Sequence, residues 1–474
     1  MCLFGGARAP TSGKLGSPLT GGDDAVTTLQ SGPDSIYDLL GIGFGPSNLA
    51  LAIALHERAA ASAGADGFRF GFLEKQPRFG WHRGMLIDDA TMQVSFLKDL
   101  VTMRDPTSDF SFLCYLREQG RLVDFLNQKT LFPLRIEFHD YFEWAAARLT
   151  QRVEYSAEVC SVRPVTEDGE VRYFDVATRD PRAPGRSTVR RTRSICVATG
   201  LEPHLPPDAL LSERVWHNSE LLPRVDEVVR SARPIRRAVV LGAGQSAAEA
   251  VDYLHRRLPD AEICSVFAKY GYTPADDSPF ANRIFDPEAV DLYYGAPREV
   301  KQSLLDYHRS TNYSVVDVDL IEALSRTMYQ EKVQGVSRLR MLNVSRIREV
   351  ESHGDEVRVT VEFLPTGERE VLAADLLVYA TGYQPQGIGD NLGEIGKLCL
   401  RDEEDALKVG RDHRVTTAPN VTADIYLQGG TEHTHGLTST LLSTTAVRAG
   451  EICSSVLARH AANTLEAEQP VGRG

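Results

Sequence analysis

Apolar residues first gather at Ile36–Ile42, a short run cut off by glycines and followed by a helical pattern from Asn48 to about Ala63. A second apolar run, Phe68–Leu73, ends on Glu74. Strand, tight turn, helix, strand is the opening of a doubly wound nucleotide-binding fold. Helical spacing follows at Asp109–Gln119 and Asp140–Thr150, and residues 152–198 alternate between strand patterns and polar turns, closing on Ser194–Ala198. Behind a Pro-rich connector, Glu202–Pro207, the same grammar restarts: Arg237–Leu241, a glycine turn, a helix over Gln245–Leu258, and Glu262–Phe267. Strands at 346–350 and 356–363 lead through Leu376–Ala380 to a last strand, Ile425–Leu427, and a helix from about Ser439 to His460.

The pattern predicts an α/β chain with two Rossmann-like dinucleotide-binding domains, the second inserted in the first. The first is expected over 35–205 and 366–460, and the second over 206–271 and 346–365. An aromatic-rich substrate-binding region fills 272–345, with tails at 1–34 and 461–474. The first tail is rich in Gly, Ser, Thr and Pro, without the apolar run of a signal peptide.

Composition narrows the partners. The 52 basic against 65 acidic residues give a net charge of −13, which argues against nucleic acid, since phosphate binding needs a positive surface. No stretch approaches 18 uninterrupted apolar residues, so no membrane span is expected. Seven scattered cysteines without a CxxC pair read as reduced thiols in a cytoplasmic protein.

The first turn reads Gly43-Phe-Gly45-Pro46-Ser-Asn48. Such a turn brings backbone N–H groups and a helix N-terminus against a pyrophosphate. Asn48 breaks the strict pattern at its third position, while Glu74 stands where an acid holds ribose hydroxyls. The second turn reads Gly242-Ala-Gly244-Gln-Ser246-Ala247, and no acid ends its following strand. An acid there would repel a 2′-phosphate, so NADPH is expected over NADH, with Lys269 a cation at that place. Two dinucleotide folds imply two cofactors exchanging a hydride, and FAD with NADPH is the usual pairing. A disulfide reductase would need a CxxC beside the flavin. A monooxygenase would need a site that shields a flavin hydroperoxide from water.

Six segments occur in order: Phe44–Leu49, Met92–Leu100, Asp276–Asn282, Thr311–Asp317, Ala380–Tyr383 and His435–Ser443. Together they resemble the L-ornithine N-monooxygenases of hydroxamate siderophore biosynthesis, over nearly the whole chain from about Tyr37 to Gly450. The resemblance implies FAD- and NADPH-dependent hydroxylation of the side-chain amine of L-ornithine with oxygen, through a flavin C(4a)-hydroperoxide.

The same resemblance implies residue roles. Gln93 would lie near the flavin ring, and Lys98 would meet the amino acid carboxylate. Asn282 would bind the substrate backbone, Asn312 would bridge substrate and nicotinamide ribose, and Ser443 would lie near the amine. Gly43, Gly45, Pro46, Asn48, Glu74, Thr381 and Leu441 are expected to line the cofactor sites, with Gly242, Gly244, Ser246 and Lys269 on the NADPH side. Relatives often carry an arginine where this chain has Ala268-Lys269-Tyr-Gly-Tyr, which leaves the phosphate anchor open. A homotetramer is also implied.

Plainer roles compete. A snorkelling lysine would explain Lys98, and turn positions would explain Asn282 and Asn312. His433 and His435 form an HxH without a third ligand at metal spacing beyond Glu432, so no metal is expected. Trp81, Trp144 and Trp216 are expected to pack rather than stack on a cofactor. A lysine or diamine hydroxylase and an NAD(P)H:acceptor reductase are the rival activities.

Overall fold

The short apolar runs pair into two parallel sheets, as expected for strands buried on both faces. In the computed structural model, which describes residues 36–61, 67–183, 185, 187–231, 233–386 and 393–468, the first sheet has five parallel strands. Their order is Asp424–Leu427, Ser194–Val197, Leu39–Ile42, Phe70–Leu73 and Val153–Glu154. The second sheet runs Leu339–Leu342, Glu262–Val266, Arg237–Leu241, Leu376–Tyr379 and Val215–His217, also parallel. Each sheet carries the order of a Rossmann half, in which the strand that leads into the glycine turn is central.

The two units share a plan. Counted from the strand that leads into the glycine turn, each inserts a three-stranded antiparallel meander between its third and fourth strands, Glu158–Thr192 in the first and Ser345–Ala374 in the second. Each fourth strand ends on Ala-Thr-Gly, at Ala198–Gly200 and Ala380–Gly382. A Cβ on Gly43 would lie 2.5 Å from the Ala198 oxygen, and one on Gly242 would lie 2.2 Å from the Ala380 oxygen. Their φ angles of +84° and +154° also disfavour a side chain. The connections leaving and re-entering the first unit, Leu201–Pro203 and Tyr383–Pro385, run side by side as an antiparallel pair.

This plan corrects the expected boundaries. Leu376–Tyr379, expected in the first unit with 366–460, pairs instead with Arg237–Leu241 in the second. Four buried apolar residues fit the centre of either sheet and do not name their partner. Leu339–Leu342 and the helix Val318–Gln334, expected in the separate region 272–345, also belong to the second unit. That helix is tied to Gln245–Arg257 through His255 and Glu331, 2.7 Å apart. The last helix spans Thr445–Glu468, so 461–468 is helical rather than tail. The tail expected at 1–34 and the end of the second, 469–474, lie outside the described residues.

Candidate active site

Each glycine turn follows the central strand of its unit. At the first, Pro46 starts the helix Pro46–Ala61, where its missing N–H costs nothing. A Cβ on Gly45 would meet no protein atom within 4 Å, so the glycine faces space in which a phosphate could approach the backbone. Glu74, at the end of the neighbouring strand, accepts the N–H of Phe44 at 2.7 Å and that of Gln76 at 2.9 Å. Its oxygens each keep a further lone pair for a ribose hydroxyl.

Asn48 behaves differently from its expected role as a cofactor contact. It is 0% exposed, and its amide donates to Gly43 O at 2.7 Å while accepting from Gln428 at 2.9 Å. A residue with no surface in the ligand-free chain meets no ligand; Asn48 instead fixes the turn from below. The third position of this turn therefore works through hydrogen bonds rather than through a missing side chain.

Around that turn lie polar groups that the protein leaves unpaired. Gln428 Oε1, Thr431 Oγ1, Ser439 Oγ and Arg448 Nε are buried without a hydrogen-bond partner. Arg448 reaches Ser47 Oγ at 3.4 Å and the carbonyls of Thr438 and Ser439 at 3.2 and 2.8 Å. Burial pulls its guanidinium down to about 10, and none of its hydrogen-bond partners is a carboxylate. A buried cation beside a glycine turn fits a phosphate-bearing cofactor, because an unpaired charge is otherwise costly. The sequence reading missed Arg448; its one signal is an arginine inside the apolar start of the last helix.

At the second turn, Gly242, Gly244 and Ser246 remain partly exposed, and Gly244 precedes the helix Gln245–Arg257. Residues 311–317 cross over it: a Cβ on Gly244 would sit 3.5 Å from Ser314 Cα. Ser314, two residues after Asn312, therefore stands beside the nucleotide turn. Lys269 reaches the same segment, donating to Ser314 O at 2.6 Å. Tyr313 joins it to the loop near Ser443, donating its hydroxyl to Glu432 at 2.5 Å.

Gln93 is exposed and donates to Asp317 at 2.6 Å, which brings a first-unit residue onto the segment of Asn312. Lys98 is half-buried, with its ammonium 5.8 Å from the Phe285 ring centre and no ion pair among the described residues. Phe285 ends the short helix Ala281–Phe285 that holds Asn282, so Lys98 and Asn282 share a neighbourhood. The Asn282 amide donates to Asp277 O at 2.7 Å. Ser443 is buried in the turn Leu442–Thr444, with Leu441 partly exposed before it, and Thr381 donates to His204 O in the connector pair.

His433 and His435 do not converge. His433 meets Leu407 O at 2.9 Å, whereas His435 stacks on His413 with ring centres 4.1 Å apart. Trp216 is buried in the second core, and its indole N–H reaches Glu213 O at 2.8 Å. Sequence reading also missed Arg135, Gln245 and Glu249. Arg135 and Glu249 are 114 positions apart, and no local pattern pairs them.

The chain is 42% identical over 415 residues to an L-ornithine N(5)-monooxygenase of Burkholderia cepacia, covering 85% of this chain and 90% of that one. It superposes on the ornithine N-hydroxylase of Kutzneria sp. 744, solved with reduced FAD, NADP+ and L-ornithine, with TM-score 0.85 and 44% identity. That match covers 90% of this chain and all of the other. An L-lysine 6-monooxygenase from Pseudomonas syringae aligns with TM-score 0.77 and 32% identity, over 89% of this chain and 99% of that one. With residues 35–385 also matching its family pattern, the chain belongs to the L-lysine 6-monooxygenase/L-ornithine 5-monooxygenase family.

Proposed function

We propose that the chain hydroxylates the side-chain amine of L-ornithine, with FAD in the unit built on Leu39–Ile42 and NADPH in the unit built on Arg237–Leu241. One oxygen atom of O2 ends on the amine nitrogen as a hydroxylamine and the other leaves as water. NADPH supplies the electron pair. The flavin, when bound, supplies oxygen activation; the chain's own residues bind, orient and exclude water.

The observation that carries the reading is Lys98. A half-buried ammonium with no acid partner among the described residues, beside the Asn282 helix, suits a ligand carboxylate. A diamine would leave that charge unpaired. Ornithine is favoured over lysine by the higher identity to the ornithine enzyme, 44% against 32%. Asn312, in the segment whose Ser314 lies over the nucleotide turn, and Ser443, beyond the helix of Glu432 that Tyr313 reaches, would complete the pocket. The amine itself sets the difficulty: with a pKa of about 10.4, only ~1 molecule in 250 is neutral at pH 8. A desolvated site lowers that pKa.

Lys269, tied to Ser314, supports NADPH over NADH as the one cation after the second strand. Tyr329 and Val333, exposed and four residues apart on one helix, support a homo-oligomer. The lack of a membrane-crossing helix among the described residues is compatible with work in the cytoplasm. The deciding experiment measures hydroxylamine formed per NADPH consumed, with ornithine, lysine and putrescine in parallel. Equal coupling with lysine or putrescine would overturn the ornithine assignment.

A further inference from the structure

Asp317 stands at the N-cap of the helix Val318–Gln334, where an aspartate ordinarily accepts a backbone N–H of its own first turn. Here it makes no such bond. Its Oδ2 instead accepts from Gln93 Nε2 at 2.6 Å and lies 3.4 Å from Gln245 Nε2. Its backbone N–H donates to Gln245 Oε1 at 2.8 Å, so main chain and side chain grip one glutamine. Gln245 directly follows Gly244 of the nucleotide turn and also donates to Glu249 at 3.0 Å.

We propose that Asp317 is a positioning residue: it sets which end of the Gln93 amide faces the cofactor cleft and ties that orientation to the nucleotide turn of the second unit. An ionised carboxylate only accepts. It captures the NH2 end of Gln93 and turns the carbonyl end outward as an acceptor. Without it the two ends of the amide are nearly equivalent in shape, and among the described residues no other hydrogen bond to the Gln93 side chain selects between them. Gln93 comes from the first unit and Gln245 from the second. One carboxylate thus makes the Gln93 orientation depend on how the two units sit together. The proposal rests on the flavin-dependent function proposed above, with Gln93 facing the flavin ring as the family resemblance implies.

The test uses the FAD-loaded full chain with Asp317→Ala, Asp317→Asn, Gln93→Ala and the Asp317→Ala/Gln93→Ala double variant. Two readouts are taken: the visible circular dichroism of the bound flavin, which needs no turnover, and hydroxylamine formed per NADPH. Asp317→Ala is expected to shift the flavin bands as Gln93→Ala does and to lower coupling about tenfold, the worth of one charge-assisted hydrogen bond. In the Gln93→Ala background it should add less than about twofold, because a residue acting through another shows strong non-additivity. Asp317→Asn keeps shape and fold but offers a donor as well as an acceptor, and is expected to lose about threefold in coupling with little change in melting temperature. Multiplying effects in the double variant, or an Asn variant that matches the parent in both readouts, would overturn the proposal. The flavin spectrum answers even if no amine is hydroxylated, so failure of the ornithine reading leaves a different signature.

Discussion

Arg135 grips Glu249 through both terminal nitrogens, at 2.9 and 2.6 Å, across the boundary between the two nucleotide-binding units. The pair is nearly buried, with side chains 11% and 6% exposed. Arg135 also donates to Met85 O at 2.9 Å, and Met85 itself packs into the core of the second unit.

Removing one partner of such a pair strands the other charge. Glu249→Ala is expected to destabilise the contact by about 3–5 kcal/mol. Glu249→Gln keeps one acceptor and should lose less. Differential scanning calorimetry with and without NADP+ checks this: the Ala variant should melt earlier and gain less from the nucleotide. An unchanged profile would place the pair outside the energetics of the boundary.

Lys98→Ala should raise the ornithine KM strongly, since truncating one partner of a desolvated charge pair costs about 2–5 kcal/mol. Anaerobic flavin reduction by NADPH without ornithine should stay near the parent rate, because that step uses the glycine turns. Steady-state and stopped-flow kinetics separate the two effects. A variant with the parent's ornithine dependence would remove Lys98 from the pocket.

The residues of these two predictions differ in how they could be found. Lys98 is legible because a lysine interrupts the apolar stretch Val94–Leu100, and both glycine turns stand between a strand and a helix. Arg135 and Glu249 carry no such mark: each is an ordinary surface charge until the units dock. The boundary at Leu376–Tyr379 failed for a related reason, since a short buried strand carries no record of its sheet. Comparing Ala198-Thr-Gly200 with Ala380-Thr-Gly382 would have placed it, because both close the fourth strand counted from the one that leads into the glycine turn. Asn48 was legible as a departure, but only its contacts reveal that it braces the turn.

Acid should weaken the fold through the cluster behind the Ser443 loop. Burial, with His413 beside it, lowers His435 to about 3. Burial would raise Glu451, but hydrogen bonds from His413 and Arg411 outweigh it and hold the carboxyl at about 2. A histidine depressed from 6.5 binds its proton in the unfolded chain first, so its share of stability is complete above about pH 6.5 and is lost as pH falls toward 3. Glu451 adds a loss in the same direction below the ordinary glutamate value of 4.5. One proton of difference is worth about 1.4 kcal/mol per pH unit. Melting temperature between pH 4 and pH 7 should therefore fall with acid, and His435→Gln should flatten the slope above pH 4.5. A parent protein with no slope in that window would show that His435 is solvated.

Two glycine-to-alanine changes should separate cofactor binding from folding. At Gly45 an added Cβ meets no protein atom within 4 Å, so Gly45→Ala should fold and melt without FAD much as the parent does. The methyl group would occupy the space in which a pyrophosphate approaches the turn, so FAD affinity should drop by about tenfold or more, and the gain in melting temperature on adding FAD should shrink with it. At Gly242 the same methyl group lies 2.2 Å from the Ala380 carbonyl at a φ of +154°. The backbone itself must move there, so Gly242→Ala should melt early with or without either cofactor. Calorimetry on all three proteins, apo and loaded, decides between these outcomes. If Gly45→Ala binds FAD as tightly as the parent, the first turn does not cradle the pyrophosphate.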